Sequence, residues 1–198
     1  YSTGGAVNIT GNIYITNAWV SSTVGSAPFP TNVLIDGGRW NQNGTAFING
    51  QVTLQGSGNI NQGGNLTANA STLTFTSGNL NINQYFLLAN SFVSSTANTR
   101  QLTFTTGNIT VNGSGASMVN INATGLTNVG TPNLVVSNPS ATASTIAIGS
   151  LANPFNANIT TGSYALTLNA PSVGWLNFTG FSGSWNPYAM NITGTGLY

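Results

Sequence analysis

The sequence predicts an all-β fold, a parallel β-helix or solenoid built from short strands. Three observations support this prediction. Short segments alternate apolar with polar side chains and close at Gly, Asn or Ser-Gly, which is typical of strands that end in tight turns. No segment shows sustained helical periodicity, and the helix-forming residues Glu, Lys and Arg are almost absent. Parts of the chain also resemble one another, as expected for stacked turns.

The alternating segments occur along most of the chain, with apolar side chains on one side and mainly Thr or Asn on the other. Each is predicted to form one strand, and two or three strands are expected to make up one turn. In chain order the segments are residues 7–10, 12–16, 52–54, 72–76, 79–82, 101–105, 108–111, 145–148, 165–168 and 175–178.

The internal repeats favour stacking of similar units. Residues 73–83 match residues 102–112 at an offset of 29, with seven of eleven positions identical. Residues 52–58 resemble residues 109–115, and residues 10–16 are a weaker copy. Repeats of about 20–50 residues are typical of solenoids. In such a stack, columns of Asn and Thr are expected to satisfy one another's hydrogen bonds without charge.

A β-sandwich or jelly roll is the alternative, because short strands at regular intervals also suit those folds. In that case residues 6–20 could be a strand donated to a neighbouring subunit. The domain prediction is a less repetitive N-terminal β region, 1–64, followed by a solenoid repeat region, 65–198, in one continuous domain. The N-terminal region is interpreted as a cap or a polymerisation element.

The composition argues against an enzyme. Of 198 residues only 2% are charged, against about 25% in a typical soluble domain. Asp36 is the only acid, Arg39 and Arg100 are the only bases, and Lys, Glu, His and Cys are absent. General acid–base catalysis and zinc binding need the missing residue types. Two arginines cannot neutralise enough phosphates for nucleic-acid binding, and no apolar run reaches the roughly 18 residues of a membrane span.

Residues 72–185 carry a resemblance to a known kind of protein. The segments that carry it are 73–83, 91–100, 130–135, 164–168 and 176–183. They resemble repeat modules of phage tail-fibre-like and bacterial surface proteins, known mainly from environmental sequences. The resemblance implies a β-helical spacer in a long fibre and supplies no catalytic motif. The present chain departs from these modules in being almost uncharged.

Several residues are candidates for binding or modification. Trp185 and Tyr188, in a turn, and Trp40 could stack on a glycan, although aromatic residues more often fill a core or a subunit contact. Asp36 and Arg39 are expected to form a local ion pair. Arg100 is expected to cap strand carbonyls or to meet a neighbour, in preference to binding an anion. Asn-x-Ser/Thr glycosylation sequons occur at Asn8, Asn43, Asn65, Asn69, Asn108, Asn112, Asn122, Asn158, Asn177 and Asn191.

The function predicted from these features is structural. The chain is expected to be a subunit or module of an extracellular filament or virion fibre, joined to copies of itself through β edges or solenoid ends. No cofactor, metal or nucleic acid is expected. One alternative is an adhesin fragment that binds surface glycans. Another is an ice-binding solenoid, suggested by Thr72, Thr74 and Thr76 and by Thr103 and Thr105.

Overall fold

The computed structural model describes residues 13–16, 19–22, 32–48, 50–137, 142–162, 165–187 and 191–192. Within these ranges the chain is all-β, without a helix, and its strands stack in parallel as a solenoid of about seven turns. The predicted fold is therefore confirmed, and the sandwich is not the fold that the chain adopts.

The described chain forms 22 strands, most of them short. In chain order they are β1 (Ile13–Thr16), β2 (Trp19–Ser22), β3 (Val33–Asp36), β4 (Arg39–Asn43), β5 (Ala46–Ile48), β6 (Val52–Gln55), β7 (Asn59–Gly63), β8 (Leu66–Phe75), β9 (Gly78–Asn83), β10 (Phe86–Ser94), β11 (Arg100–Phe104), β12 (Asn108–Val111), β13 (Gly115–Ile121), β14 (Leu126–Val129), β15 (Asn133–Val136), β16 (Ser144–Ile148), β17 (Asn156–Gly162), β18 (Leu166–Asn169), β19 (Ser172–Val173), β20 (Leu176–Phe181), β21 (Trp185–Pro187) and β22 (Asn191–Ile192).

The strands belong to three parallel ladders, here called faces 1, 2 and 3. Face 1 contains β1, β3, β6, the second halves of β8 and β10, β13, β16, β18 and β21. Face 2 contains β2, β4, β7, β9, β11 and β14. Face 3 contains β5, the first halves of β8 and β10, β12, β15, β17 and β20. In the last turns, β19 and β22 pair with each other between faces 1 and 3.

The core is a set of apolar columns that run along the stack. Side chains alternate inward and outward along each strand, so each inward residue lies on the inward residue of the previous turn. On face 1, Ile35, Leu54 and Phe75 lie in one such column, and all three are fully buried. Removing a buried side chain of this size costs about 2–5 kcal/mol. The apolar half of each alternating segment thus holds consecutive turns together.

The turns differ in length, and the sequence repeat does not follow them. Val33 pairs with Val52, 19 residues later, whereas Phe92 pairs with Val119, 27 residues later. The repeat at residues 73–83 spans β8 and β9 on faces 1 and 2. Its copy at residues 102–112 spans β11 and β12 on faces 2 and 3. The repeated unit is therefore a pair of strands with the corner between them, not a complete turn.

The ladders continue across residue 64. Strand β6 pairs with β8, and β7 pairs with β9. The described part of the region 1–64 therefore contributes turns to the same solenoid as the region 65–198. Its role as a cap or polymerisation element stays a prediction.

Glycine is required where successive turns touch at a corner. Gly130 has φ of 83°, and a Cβ there would lie 1.8 Å from the Phe104 carbonyl oxygen. Gly180 has a similar φ of 70°, but a Cβ there would meet nothing within 4 Å. Alanine at position 180 would therefore introduce only backbone strain, whereas alanine at position 130 would also clash with the neighbouring turn.

Replacing these glycines with alanine tests the contact between turns. Gly180→Ala is expected to lower the free energy of unfolding by about 1 kcal/mol, because only the left-handed backbone is strained. Gly130→Ala adds a clash with backbone and is expected to cost about 2–4 kcal/mol. Denaturant unfolding measures both. Equal losses in the two variants would contradict the close packing of turns at this corner.

Candidate functional site

Many of the outward-facing side chains are neutral and polar, and several of them form hydrogen bonds with one another between turns. Asn79 Nδ2 donates to Asn59 Oδ1 at 2.9 Å on face 2. The hydroxyls of Thr72 and Ser91 lie 2.7 Å apart on face 1. On face 3, Asn156 Nδ2 donates to an asparagine of the previous turn, Asn133 Oδ1, at 3.3 Å. The predicted Asn and Thr ladders are therefore present.

Two glutamines lie inside the solenoid, which the sequence did not predict. Gln42 and Gln62 are each 1% exposed and are register partners on successive turns of face 2. Gln42 Nε2 donates to the carbonyls of Gly64 and Asn65 at 3.0 and 2.8 Å, and Gln62 Nε2 donates to Phe86 O at 3.3 Å. Each glutamine lies two positions after an inward-facing apolar residue of the same strand, so the alternation of the strand directs it inward as well. These amides satisfy backbone carbonyls at the corner between faces 2 and 3.

Arg100 is the one buried charged residue of the described chain. It is 1% exposed, at the start of β11. Its guanidinium donates to the carbonyls of Ser94, Asn98, Asn122 and Thr124, and to the Ser94 hydroxyl. Burial lowers the pKa of Arg100. Arg100 therefore caps carbonyls, which is one of its two predicted roles, although three of the four carbonyls lie in corners and only that of Ser94 belongs to a strand. These bonds join the corner after β10 to the corner after β13.

The other two charged residues lie at the corner between β3 and β4. The Asp36 carboxylate accepts a hydrogen bond from Gln55 Nε2 of the next turn at 3.0 Å. Arg39 is exposed at the start of β4. The ion pair between Asp36 and Arg39 stays a prediction.

The aromatic candidates for glycan contact are mostly packed. Trp40 is 1% exposed and stacks in the core on Ile60, so its assignment as a surface platform is wrong, because no ring face reaches solvent. Trp185 is half-buried, with its ring centroid 5.1 Å from that of Phe178, and its indole nitrogen is buried. Tyr188 lies outside the described residues.

The sequon asparagines occupy several parts of the solenoid. Asn8 lies outside the described residues, and Asn43, Asn69 and Asn191 lie in strands. Glycosylation itself stays a prediction. The half-buried members of the set are Asn65, Asn108, Asn112, Asn122, Asn158 and Asn177.

The threonine rows that suggested ice binding do not share a face. Thr72 and Thr74 point outward from β8 on face 1, whereas Thr103 points outward from β11 on face 2. Next to Thr74 in the same column lie Thr53 and Val93. The two motifs therefore do not combine into one surface.

The last turn carries aromatic residues at positions that are core elsewhere. Phe178 pairs with Ile159, which is fully buried, and Trp185 pairs with Leu166, which is 1% exposed. Phe178 and Trp185 themselves are only partly buried against the core.

The strands at the two ends of the stack have one described neighbour each. Strand β1 pairs with β3 and β2 with β4; at the other end β21 pairs with β18 and β22 with β19. Within the described part of the chain, these four strands therefore each pair along one edge. An unpaired strand edge is a template for pairing with another chain.

Comparison with protein-family models, curated proteins and solved structures finds no match for this chain. The resemblance to fibre repeat modules therefore stays a prediction. In the described ranges no helix is long and apolar enough to cross a membrane. The same ranges contain no cluster of three or more acidic, His or Cys residues that could hold a metal ion.

Arg100→Met is expected to lower the free energy of unfolding by about 3–5 kcal/mol, because several buried carbonyls lose their donor at about 1–3 kcal/mol each. Arg100→Lys is expected to cost less, since an ammonium group can satisfy some of them. Arg39→Met removes an exposed charge and serves as the matched control, with little change expected. A loss from Arg39→Met as large as that from Arg100→Met, in urea unfolding, would contradict the assignment.

The melting temperature is expected to stay within about 2 °C from pH 5 to 9. No His or Cys is present, and stability depends on pH only where folding changes proton binding. Because burial lowers the pKa of Arg100, the unfolded chain holds that proton more tightly. Stability would therefore rise only at strongly alkaline pH. Calorimetry across this range checks the expectation, and a transition near pH 6–7 would contradict it.

Proposed function

We propose that this protein is a structural module of an extracellular filament or virion fibre, which grows by end-to-end stacking of solenoids. A β-solenoid is compatible with a fibre, an adhesin or an ice-binding role. Among these roles, the fibre is favoured by the structure of the two ends of the solenoid. Each end has strands with one described neighbour, and the last turn places partly buried aromatic residues at core positions.

The occupant proposed for each end is a second copy of the chain. Another turn in parallel register would continue the backbone ladder of face 1, which within the described chain ends at β1 and β21. It would also cover Phe178 and Trp185 with apolar side chains, which is favourable by about 25 cal/mol for each Å² of apolar surface removed from water. The first and last turns of a solenoid have matching strand directions, so head-to-tail contact repeats without closing.

The low charge favours this assembly. A net charge of +1 over 198 residues gives little repulsion between copies. We also propose that the protein is not an enzyme, because the full sequence has one carboxylate and no His, Cys, Lys or Glu. Its neutral, hydrogen-bonded surface suits an environment of variable pH and salt, which supports an extracellular or virion location.

The two alternatives have less support. Trp40 lies in the core and Trp185 is packed on Phe178, so neither presents a free platform to a surface glycan. The threonine motifs at 72–76 and 103–105 lie on different faces.

Electron microscopy of the purified protein tests the proposal. Wild type is expected to form unbranched filaments that persist in 1 M salt, because the junction contains few charges. Trp185→Lys places a charge in the end contact and is expected to give monomers or short rods. Thr145→Lys places the same charge on the side of face 1 and is the control, with filaments retained.

Circular dichroism of both variants is the control that measures whether they fold. A wild-type protein that remains monomeric at high concentration by light scattering would refute the proposal. So would filaments that survive Trp185→Lys but are lost in Thr145→Lys, because they would form by lateral contact.

A further inference from the structure

Face 3 exposes an aromatic ring between two glycosylation sequons. Phe86, at the start of β10, is 37% exposed and is one of three large apolar side chains that are exposed in the described chain. Its backbone N–H donates to Asn65 Oδ1 of the previous turn at 3.1 Å. On the following turn its register partner is Asn108. Asn65 and Asn108 therefore flank Phe86 along the stack, each about 4.8 Å away between strands.

Both asparagines begin complete sequons. Asn65-Leu66-Thr67 and Asn108-Ile109-Thr110 each have a hydroxyl residue two positions on, on the same side of the strand. The oxygen of each asparagine side chain is engaged. Asn65 Oδ1 accepts from Phe86, and Asn108 Oδ1 accepts from Thr110 Oγ1 at 2.8 Å.

The nitrogen of each side chain is the atom that carries an N-linked sugar. Among the described contacts, Nδ2 of Asn65 and Nδ2 of Asn108 donate to no acceptor, and neither atom is a buried group without a partner. In Asn177, by contrast, Nδ2 donates to Thr179 Oγ1 of its own sequon at 3.3 Å.

We propose that Asn65 and Asn108 are N-glycosylated and that their innermost sugars pack the apolar face of the sugar ring against Phe86. The proposal rests on the extracellular location in the proposed function. The donor is an oligosaccharide linked to a lipid pyrophosphate. Nδ2 forms a bond to the anomeric carbon, the bond from that carbon to the pyrophosphate oxygen breaks, the amide loses one proton, and the lipid pyrophosphate leaves.

This assignment accounts for an exposed aromatic residue in a column that is otherwise made of asparagines. In this part of face 3 the column that contains Phe86 otherwise holds Asn65, Asn108 and Asn133. A phenylalanine there exposes apolar surface to water at a cost, unless something covers it. A sugar on either neighbouring asparagine lies within reach of the ring. Bulky glycans would also supply the solubility that a chain with three charged residues lacks.

The test compares the full chain made in two hosts. One is a secretory host that glycosylates Asn-x-Ser/Thr sites, and the other is a bacterial cytoplasm that does not. Mass spectrometry of chymotryptic peptides measures occupancy, since only two sites for trypsin exist. Asn65 and Asn108 are expected to be occupied. The glycosylated wild type is expected to melt about 2–4 °C higher than the unglycosylated chain, the shift that about 1 kcal/mol gives at this size.

Phe86→Ala removes the ring on which the sugars are proposed to pack but leaves both glycosylation sequons intact. In this variant the sites are expected to remain occupied, but the difference in Tm between the two hosts is expected to disappear. Asn177→Gln, several turns away, is the control and is expected to keep the difference. Two results would overturn the proposal: Asn65 and Asn108 unoccupied in the secreted chain, or an unchanged Tm difference in Phe86→Ala. Filaments are scored on the same samples, so failure of assembly and failure of the glycan sites remain distinguishable.

Discussion

Parallel, in-register stacking of each turn on the one before is the constraint on which the rest of the structure depends. Backbone hydrogen bonds run between turns, so each paired residue of the described strands lies beside its register partner about 4.8 Å away. A side chain must therefore be compatible with its neighbours in the same column. Ile35, Leu54 and Phe75 satisfy this condition inside, and Asn59 and Asn79 satisfy it outside. Gly130 satisfies it where two backbones touch.

The same constraint explains the neutral composition. Like charges stacked about 4.8 Å apart repel by nearly 1 kcal/mol even in water, and by more near a protein surface. An amide both donates and accepts, so a column of asparagines can bond to itself. Neutral amides are also used in the interior, where Gln42 and Gln62 donate hydrogen bonds to corner carbonyls without introducing charge. Arg100 is the exception, and it is tolerated because its guanidinium donates to backbone carbonyls and one hydroxyl.

The sequence predicted the fold class and many strands, since alternation in segments such as 52–54 and 108–111 reflects burial directly. It did not predict the length of a turn. The two copies of the repeat, at an offset of 29, lie on different faces, so the offset does not correspond to one complete turn. The burial of Trp40 and Gln62 could not be predicted from residue type. It depends on which residue begins each strand, Arg39 in β4 and Asn59 in β7, because that residue sets which side chains point inward. The role of Arg100 was predictable, because a lone cation after a polar loop has backbone carbonyls as its available partners.

The direction of stacking within the assembled material is the most direct test of the central claim. Cryo-electron microscopy of filaments, or fibre diffraction from aligned ones, measures the direction of the spacing between strands. End-to-end continuation of the solenoid predicts a repeat of about 4.8 Å parallel to the filament axis and unbroken across the junction between copies. A repeat of this size perpendicular to the axis, or a junction made by a strand donated into the neighbouring copy, would contradict the account.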